Sequence, residues 1–134
     1  MYEGEIVNGK RNGPGIMKYS NGRIYEGYWL DDFRHGKGHE RYTNGNTYEG
    51  DFERGSAHGK GIYMWSSGEI YDGEWQNGLK HGDGVWKGNQ GDSYIGEWRK
   101  SKAEGYGVHI WKNGINLEEK SSRKSVRRRM EGMS

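Results

Sequence analysis

The sequence contains no cysteine, which excludes disulfides, thiolate metal ligands and a cysteine nucleophile, and points to a reducing, intracellular compartment. It has no apolar run long enough to serve as a signal segment or to cross a bilayer as a helix. Apolar residues make up only 30% of the 134 residues, and the mean hydropathy of −1.23 is poor for a conventional globular core. Leucine is nearly missing: residues 1–116 hold only Leu30 and Leu79, which excludes a leucine-rich repeat. Neither sign of charge dominates, the formal net charge being +2. Its distribution is uneven, however. Residues 1–116 carry 15 Lys and Arg against 16 Asp and Glu, whereas 117–134 carry 6 against 3.

Aromatic residues are abundant. Six Trp, ten Tyr and two Phe are more than a disordered chain of this hydropathy holds, and they recur at fixed places. The phrase Tyr71-Asp72-Gly73-Glu74-Trp75 reappears with lead tyrosines at Tyr2, Tyr25, Tyr48, Tyr71 and Tyr94, a step of 23 residues with no insertion. A unit repeated in this way is stacked on its neighbours, because one copy cannot bury its own apolar face.

Counting the lead tyrosine as zero, glycine stands at +2 and a large apolar residue at +4 (Ile6, Trp29, Phe52, Trp75, Trp98). Side chains alternate along a strand, so these three positions share a face. Glycine on that face implies that a neighbouring ring lies flat over bare backbone. A polar turn follows, and then a phrase such as His58-Gly59-Lys60-Gly61. A second extended run leads through Tyr63 and Trp65 to a further turn glycine, Gly68. Rings recur on one side of that run, and Ile16, Ile62, Val85 and Val108 on the other. Two strands with glycine turns make one β-hairpin per repeat. The spacing therefore predicts an all-β fold, an elongated antiparallel meander of five stacked hairpins over residues 1–116, advancing roughly 10 Å per repeat and open at both strand edges.

This pattern resembles the MORN (membrane occupation and recognition nexus) repeat family, whose signature is close to Tyr-x-Gly-x-Trp followed by a glycine turn and an (Asn/His)-Gly-x-Gly phrase. The likeness runs from Tyr2 to about Asn116. It departs at Ile6, at Asp32 and Ser101 in turns where other repeats have glycine, at Glu104, and at Gly88, which replaces an aromatic. The resemblance implies a non-enzymatic scaffold in a cytoplasmic, cytoskeletal or ciliary (axonemal) setting, with an aromatic and glycine trough that holds a segment of a partner protein. The trough residues expected on this basis are Tyr25, Trp29, Tyr42, Tyr48, Phe52, Trp65, Tyr71, Trp75, Tyr94, Trp98 and Trp111.

A sixth repeat would place tyrosine at 117 and glycine at 119, where the chain has Leu117 and Glu119. Asn116 with Glu119 reads as a capping box, and the sequence predicts a basic helix or tail over 117–134, the helix running from about Leu117 to Met130. Its apolar stripe of Leu117, Val126 and Met130 is thin, so it packs over the last strand or orders on a partner. Lys120, Arg123, Lys124, Arg127, Arg128 and Arg129 suit anionic lipid or acidic tubulin tails, or form a solvated basic end. With Met1 directly before the first lead tyrosine, two readings stay open: a fragment of a longer chain, or an edge joined end to end with another subunit.

The repeat argues against catalysis. His35, His58 and His81 occupy equivalent places ~10 Å apart, too far to share a metal ion. The acidic residues at +1 and +3 recur as the solvated side of a strand, possessing none of the pocket or pKa splitting that a glycosidase pair needs. No nucleophile elbow or phosphate-binding loop is present, and no cofactor is implied. Nucleic acid is disfavoured because the rings lie in the near-neutral array and the basic run lies outside it.

Overall fold

Turn chemistry decides that every repeat folds as one hairpin. At each tip, two adjacent residues have positive φ: Asn8-Gly9, Asp31-Asp32, Arg54-Gly55, Asn77-Gly78 and Lys100-Ser101, all between 47° and 85°. Such a pair is a type I′ turn, whose twist matches that of the strands it joins. Asp32 and Ser101 hold this conformation without being glycine because each is fastened to the preceding repeat. Asp32 Oδ1 accepts the backbone N–H of Arg11 at 2.8 Å, and Ser101 Oγ accepts that of Lys80 at 3.1 Å.

In the computed structural model, which describes residues 1–111 and, as backbone, 116–121, the five hairpins supply ten strands. These are β1 (Tyr2–Val7), β2 (Lys10–Lys18), β3 (Ile24–Leu30), β4 (Phe33–Arg41), β5 (Thr47–Glu53), β6 (Ser56–Met64), β7 (Ile70–Gln76), β8 (Leu79–Lys87), β9 (Ser93–Arg99) and β10 (Lys102–Ile110). An eleventh, β11 (Asn116–Ser121), follows. All pair in chain order in one antiparallel sheet, the meander expected from the sequence. At a spacing of ~4.8 Å the sheet is about 48 Å across its strands.

β11 corrects the predicted helix. Residues 117–121 are strand, pairing with β10 from Ile110 opposite Asn116 to Gly105 opposite Ser121. In register this is the lead strand of a sixth unit: Glu119 faces Gly107 as Gly96 faces Gly84. The unpaired N–H and C=O groups along β10 outweigh a capping box followed by a thin apolar stripe. The rest of the expected helix lies outside the described residues.

A row of glycines crosses the sheet. Gly4, Gly15, Gly27, Gly38, Gly50, Gly61, Gly73, Gly84, Gly96 and Gly107 face one another in unbroken register over ten strands. A Cβ on Gly73 would stand 2.5 Å from Gly84 Cα and 2.7 Å from Tyr71 Oη, so the tyrosine ring lies against the space that glycine leaves. The lead tyrosines Tyr2, Tyr25, Tyr48 and Tyr71 each donate the hydroxyl to the backbone carbonyl three residues on, Tyr48 to Asp51 at 2.8 Å and Tyr71 to Glu74 at 3.1 Å.

Tyr25, Tyr48 and Tyr71 are at most 1% exposed, and burial raises their pKa well above the ordinary 10.0. Their neutral form therefore favours the fold. That stability is fully present below pH 10 and is lost as pH rises through the raised folded-state values. Each contributes a slope of at most about 1.4 kcal/mol per pH unit. Urea denaturation is expected to show stability falling steeply above about pH 10, with the phenolate signals of Tyr25, Tyr48 and Tyr71 rising only as the sheet unfolds.

Candidate binding face

Each +4 ring reaches back over the repeat before it. The indole N–H of Trp29 donates to the Gly15 carbonyl at 3.3 Å, that of Trp75 to Gly61 at 3.0 Å and that of Trp98 to Gly84 at 3.3 Å. These rings also meet the lead tyrosines on both sides. Tyr2, Trp29, Tyr25, Phe52, Tyr48, Trp75, Tyr71, Trp98 and Tyr94 form one chain of edge-to-face contacts, with centroids 5.0–5.6 Å apart and interplanar angles of 81–90°. Such pairs add about 0.5–1.5 kcal/mol each beyond the area they bury. Ile6 stands on β1, the first strand of the sheet described. At Gly88 the missing ring is replaced by Trp86, whose six-membered ring lies 2.7 Å from where a Cβ would be.

This zipper corrects the expectation for the trough. Tyr25, Trp29, Tyr48, Phe52, Tyr71, Trp75 and Tyr94 are all buried in the packing of the sheet itself, Trp75 being the most open at 8%. They leave at most 8% of their surface open. Tyr42, Trp65, Trp98 and Trp111 are half-buried, and the first two come together through Tyr63. Trp98 is covered by Lys80, whose ammonium lies 4.6 Å from its ring; burial lowers the Lys80 pKa, and Glu69 offsets part of that. Of the basic-tail residues, Lys120 lies on β11, and Arg123, Lys124, Arg127, Arg128 and Arg129 are outside the described residues.

One member of the ring face was missed by sequence reasoning. Glu40 is 1% exposed and bonded to both Arg23 and Arg34, the latter at 2.7 Å. Arg34 also lies over the Tyr25 and Phe52 rings. Its signal was available: Glu40 occupies a ring-face position where other repeats carry Met17, Tyr63, Trp86 and His109, and a carboxylate there demands cations.

The opposite face is the open one. In every hairpin the register slips beyond the glycine pair, so that in β5 and β6 Gly50 faces Gly61 but Phe52 faces Ala57. Asp51 is thus opposed by His58, Gly59 and Lys60, a bulge that takes positive φ at Gly59. The +3 carboxylates fasten these bulges and are not merely solvated: Asp51 accepts the Lys60 N–H at 3.1 Å and Glu97 that of Tyr106 at 3.0 Å. Burial pushes the Asp51 pKa up, but the Lys37 ammonium at 2.5 Å and the Lys60 N–H bring it below the ordinary value.

A bulge bends its strand, and beside the bulge row the sheet sinks into two depressions of about 640 and 420 Å³. They share Lys60 and Asp72 and form one groove running across the strands. Its carboxylates are Glu26, Glu49, Asp72, Glu74 and Asp83, against the ammonium groups of Lys37 and Lys60. Ile62, Val85 and Ile95 give it an apolar lining. Among the described residues no group of three or more His, Cys, Asp and Glu gathers as metal ligands would. His58 instead meets Glu53 at 3.1 Å.

Five hairpins in one register, each with a tyrosine over a glycine pair and the last four with a +4 ring packed against the repeat before, are the structural form of a known repeat. The MORN repeat family model matches residues 2–22, 25–47, 48–70, 71–93 and 94–115. The chain belongs to the MORN repeat family. MORN repeats form non-enzymatic scaffolds that mediate protein or lipid interactions. No curated protein matches the chain. In this MORN array the signature residues Tyr, Gly and Trp hold repeat to repeat, while the residues between them line the open groove.

Proposed function

We propose that this MORN array is a structural scaffold that holds an extended, basic segment of a partner protein in its back-face groove. The observation that carries the reading is the groove itself: five carboxylates, two ammonium groups and an apolar lining of Ile62, Val85 and Ile95. An extended chain alternates its side chains, so it can set apolar residues on that lining while basic residues meet Asp72, Glu74 and Asp83. A cytoplasmic location in a cytoskeletal or ciliary assembly is part of the proposal and rests on family resemblance. An acidic groove is ill suited to an anionic membrane, so attachment to lipid through the basic tail is the second choice.

Titration of the isotope-labelled chain with a synthetic peptide of alternating valine and arginine tests the reading. Amide shifts are expected at Ile62, Asp72, Val85 and Ile95. Asp72→Lys is expected to weaken binding about tenfold, the equivalent of ~1.4 kcal/mol. Shifts centred on Tyr42 and Trp65, or undiminished binding by the Asp72→Lys chain, would reject the groove.

A further inference from the structure

We propose that the partner segment held in the groove is a polyproline-II strand with a lysine or arginine at every third residue, its bases falling in turn on Glu26, Glu49 and Asp72. The inference rests on the groove reading above and adds to it the conformation and charge spacing of the partner.

The hairpin register builds a ladder across the back face. Glu26 faces His39, His39 faces Glu49, Glu49 faces Ile62, Ile62 faces Asp72 and Asp72 faces Val85, one rung to each strand. Carboxylates therefore stand on every second strand, about 9.6 Å apart. Ile62 lies midway between two of them, and Val85 is one rung further on. Glu26, Glu49 and Asp72 are exposed, and among the described residues none of their carboxylates is in an ion pair or a hydrogen bond. The lysines of the groove occupy the next row, Lys37 opposite Asp51 and Lys60 opposite Glu74. The ladder is thus a line of anions at one fixed period.

A segment running along it must return a cation to the same face at that period. A β-strand returns to one face every two residues, or ~6.7 Å, so its second base misses the second carboxylate by about 3 Å. An α-helix returns after seven residues, or ~10.5 Å, and has drifted by about 2 Å at the third carboxylate. A polyproline-II strand returns every three residues, or ~9.3 Å, and is still within about 0.6 Å there. Of the three conformations it keeps step best. Its backbone is already extended and makes no hydrogen bonds of its own, so docking costs it little conformational freedom. The residues between its bases can then lean on Ile62 and Val85, which line the groove.

Two synthetic peptides of identical composition test the spacing. One is four copies of Pro-Val-Arg; the other is an isomer whose arginines are moved to alternate positions, so that net charge and proline content are unchanged. Titrated into the isotope-labelled chain, the first is expected to shift the amides of Glu49, Ile62 and Asp72 and to bind about tenfold more tightly, because arginine reaches a misplaced carboxylate only by giving up rotamer freedom. Glu49→Gln, which removes the middle anion, should weaken the first peptide about threefold, within the range of an exposed ion pair. Equal or tighter binding by the isomer, or helical carbon shifts in the bound peptide, would overturn the spacing and leave the groove standing. If neither these peptides nor the valine–arginine peptide moves the groove amides, the groove reading fails and the inference falls with it.

Discussion

Replacing Gly73 by alanine is expected to cost at least about 3 kcal/mol, at the upper end of the penalty for forcing a methyl group into a packed site. The new Cβ would stand 2.5 Å from Gly84 Cα and 2.7 Å from the Asp83 carbonyl oxygen. Both are backbone atoms of the paired strand, so no side-chain rotation relieves them, and Tyr71 Oη closes the remaining direction at 2.7 Å. Against a total stability of about 5–15 kcal/mol, the central strands should separate. Gly78→Ala is the control. Gly78 has φ +81° with nothing within 4 Å of the added carbon, so only the left-handed backbone penalty of about 1–2 kcal/mol applies. Urea midpoints of the two variants compare them directly; equal losses would mean that the glycine row is not a site of close approach.

Trp75→Ala should be comparably severe, at about 3–5 kcal/mol for a buried indole. It removes edge-to-face contacts to Tyr48 and Tyr71 and the hydrogen bond to the Gly61 carbonyl. Because contacts in a repeat array run between neighbours, the damage should concentrate at the seam of β6 and β7 and appear there first in hydrogen exchange. The protein already contains the milder substitution. Phe52 fills the same place in its own repeat, keeping both tyrosine contacts without an indole donor. Trp75→Phe is therefore expected to cost only about 1–2 kcal/mol, chiefly the lost hydrogen bond to a buried carbonyl. A binding defect in Trp75→Ala at unchanged stability would instead make Trp75 a contact residue.

Much of the architecture is legible in the sequence because the period of 23 residues fixes register, turn and face together. Tyr, Gly and Trp two residues apart must share a face, and glycine on an aromatic face does mean a ring over bare backbone. What the sequence does not disclose is whether a ring on that face looks out or is covered. Trp29, Phe52 and Trp75 are hidden by contacts from the adjacent hairpin, which alternation along their own strand cannot reveal. The role of the +3 carboxylates was also out of reach, since Asp51 and Glu97 act on a bulge, and the bulge appears only once two strands are paired. β11 teaches the same lesson at the sheet edge. Local signals at Asn116 and Glu119 favour a helix, and a neighbour with free backbone groups decides otherwise. Glu40 differs from these, for its place on the ring face was readable and its need for Arg23 and Arg34 followed from it.

Exchange of the six indole N–H protons, followed by NMR in the intact chain, tests most directly the claim that the rings stitch each repeat to the one before. Trp29, Trp75 and Trp98 donate to Gly15, Gly61 and Gly84 and should be protected together, exchanging only when the sheet opens, while Trp65 and Trp86 exchange faster. Free exchange of the indole protons of Trp29 and Trp75, at rates like those of Trp65 and Trp86, would contradict the stitching and return the aromatic face to the partner.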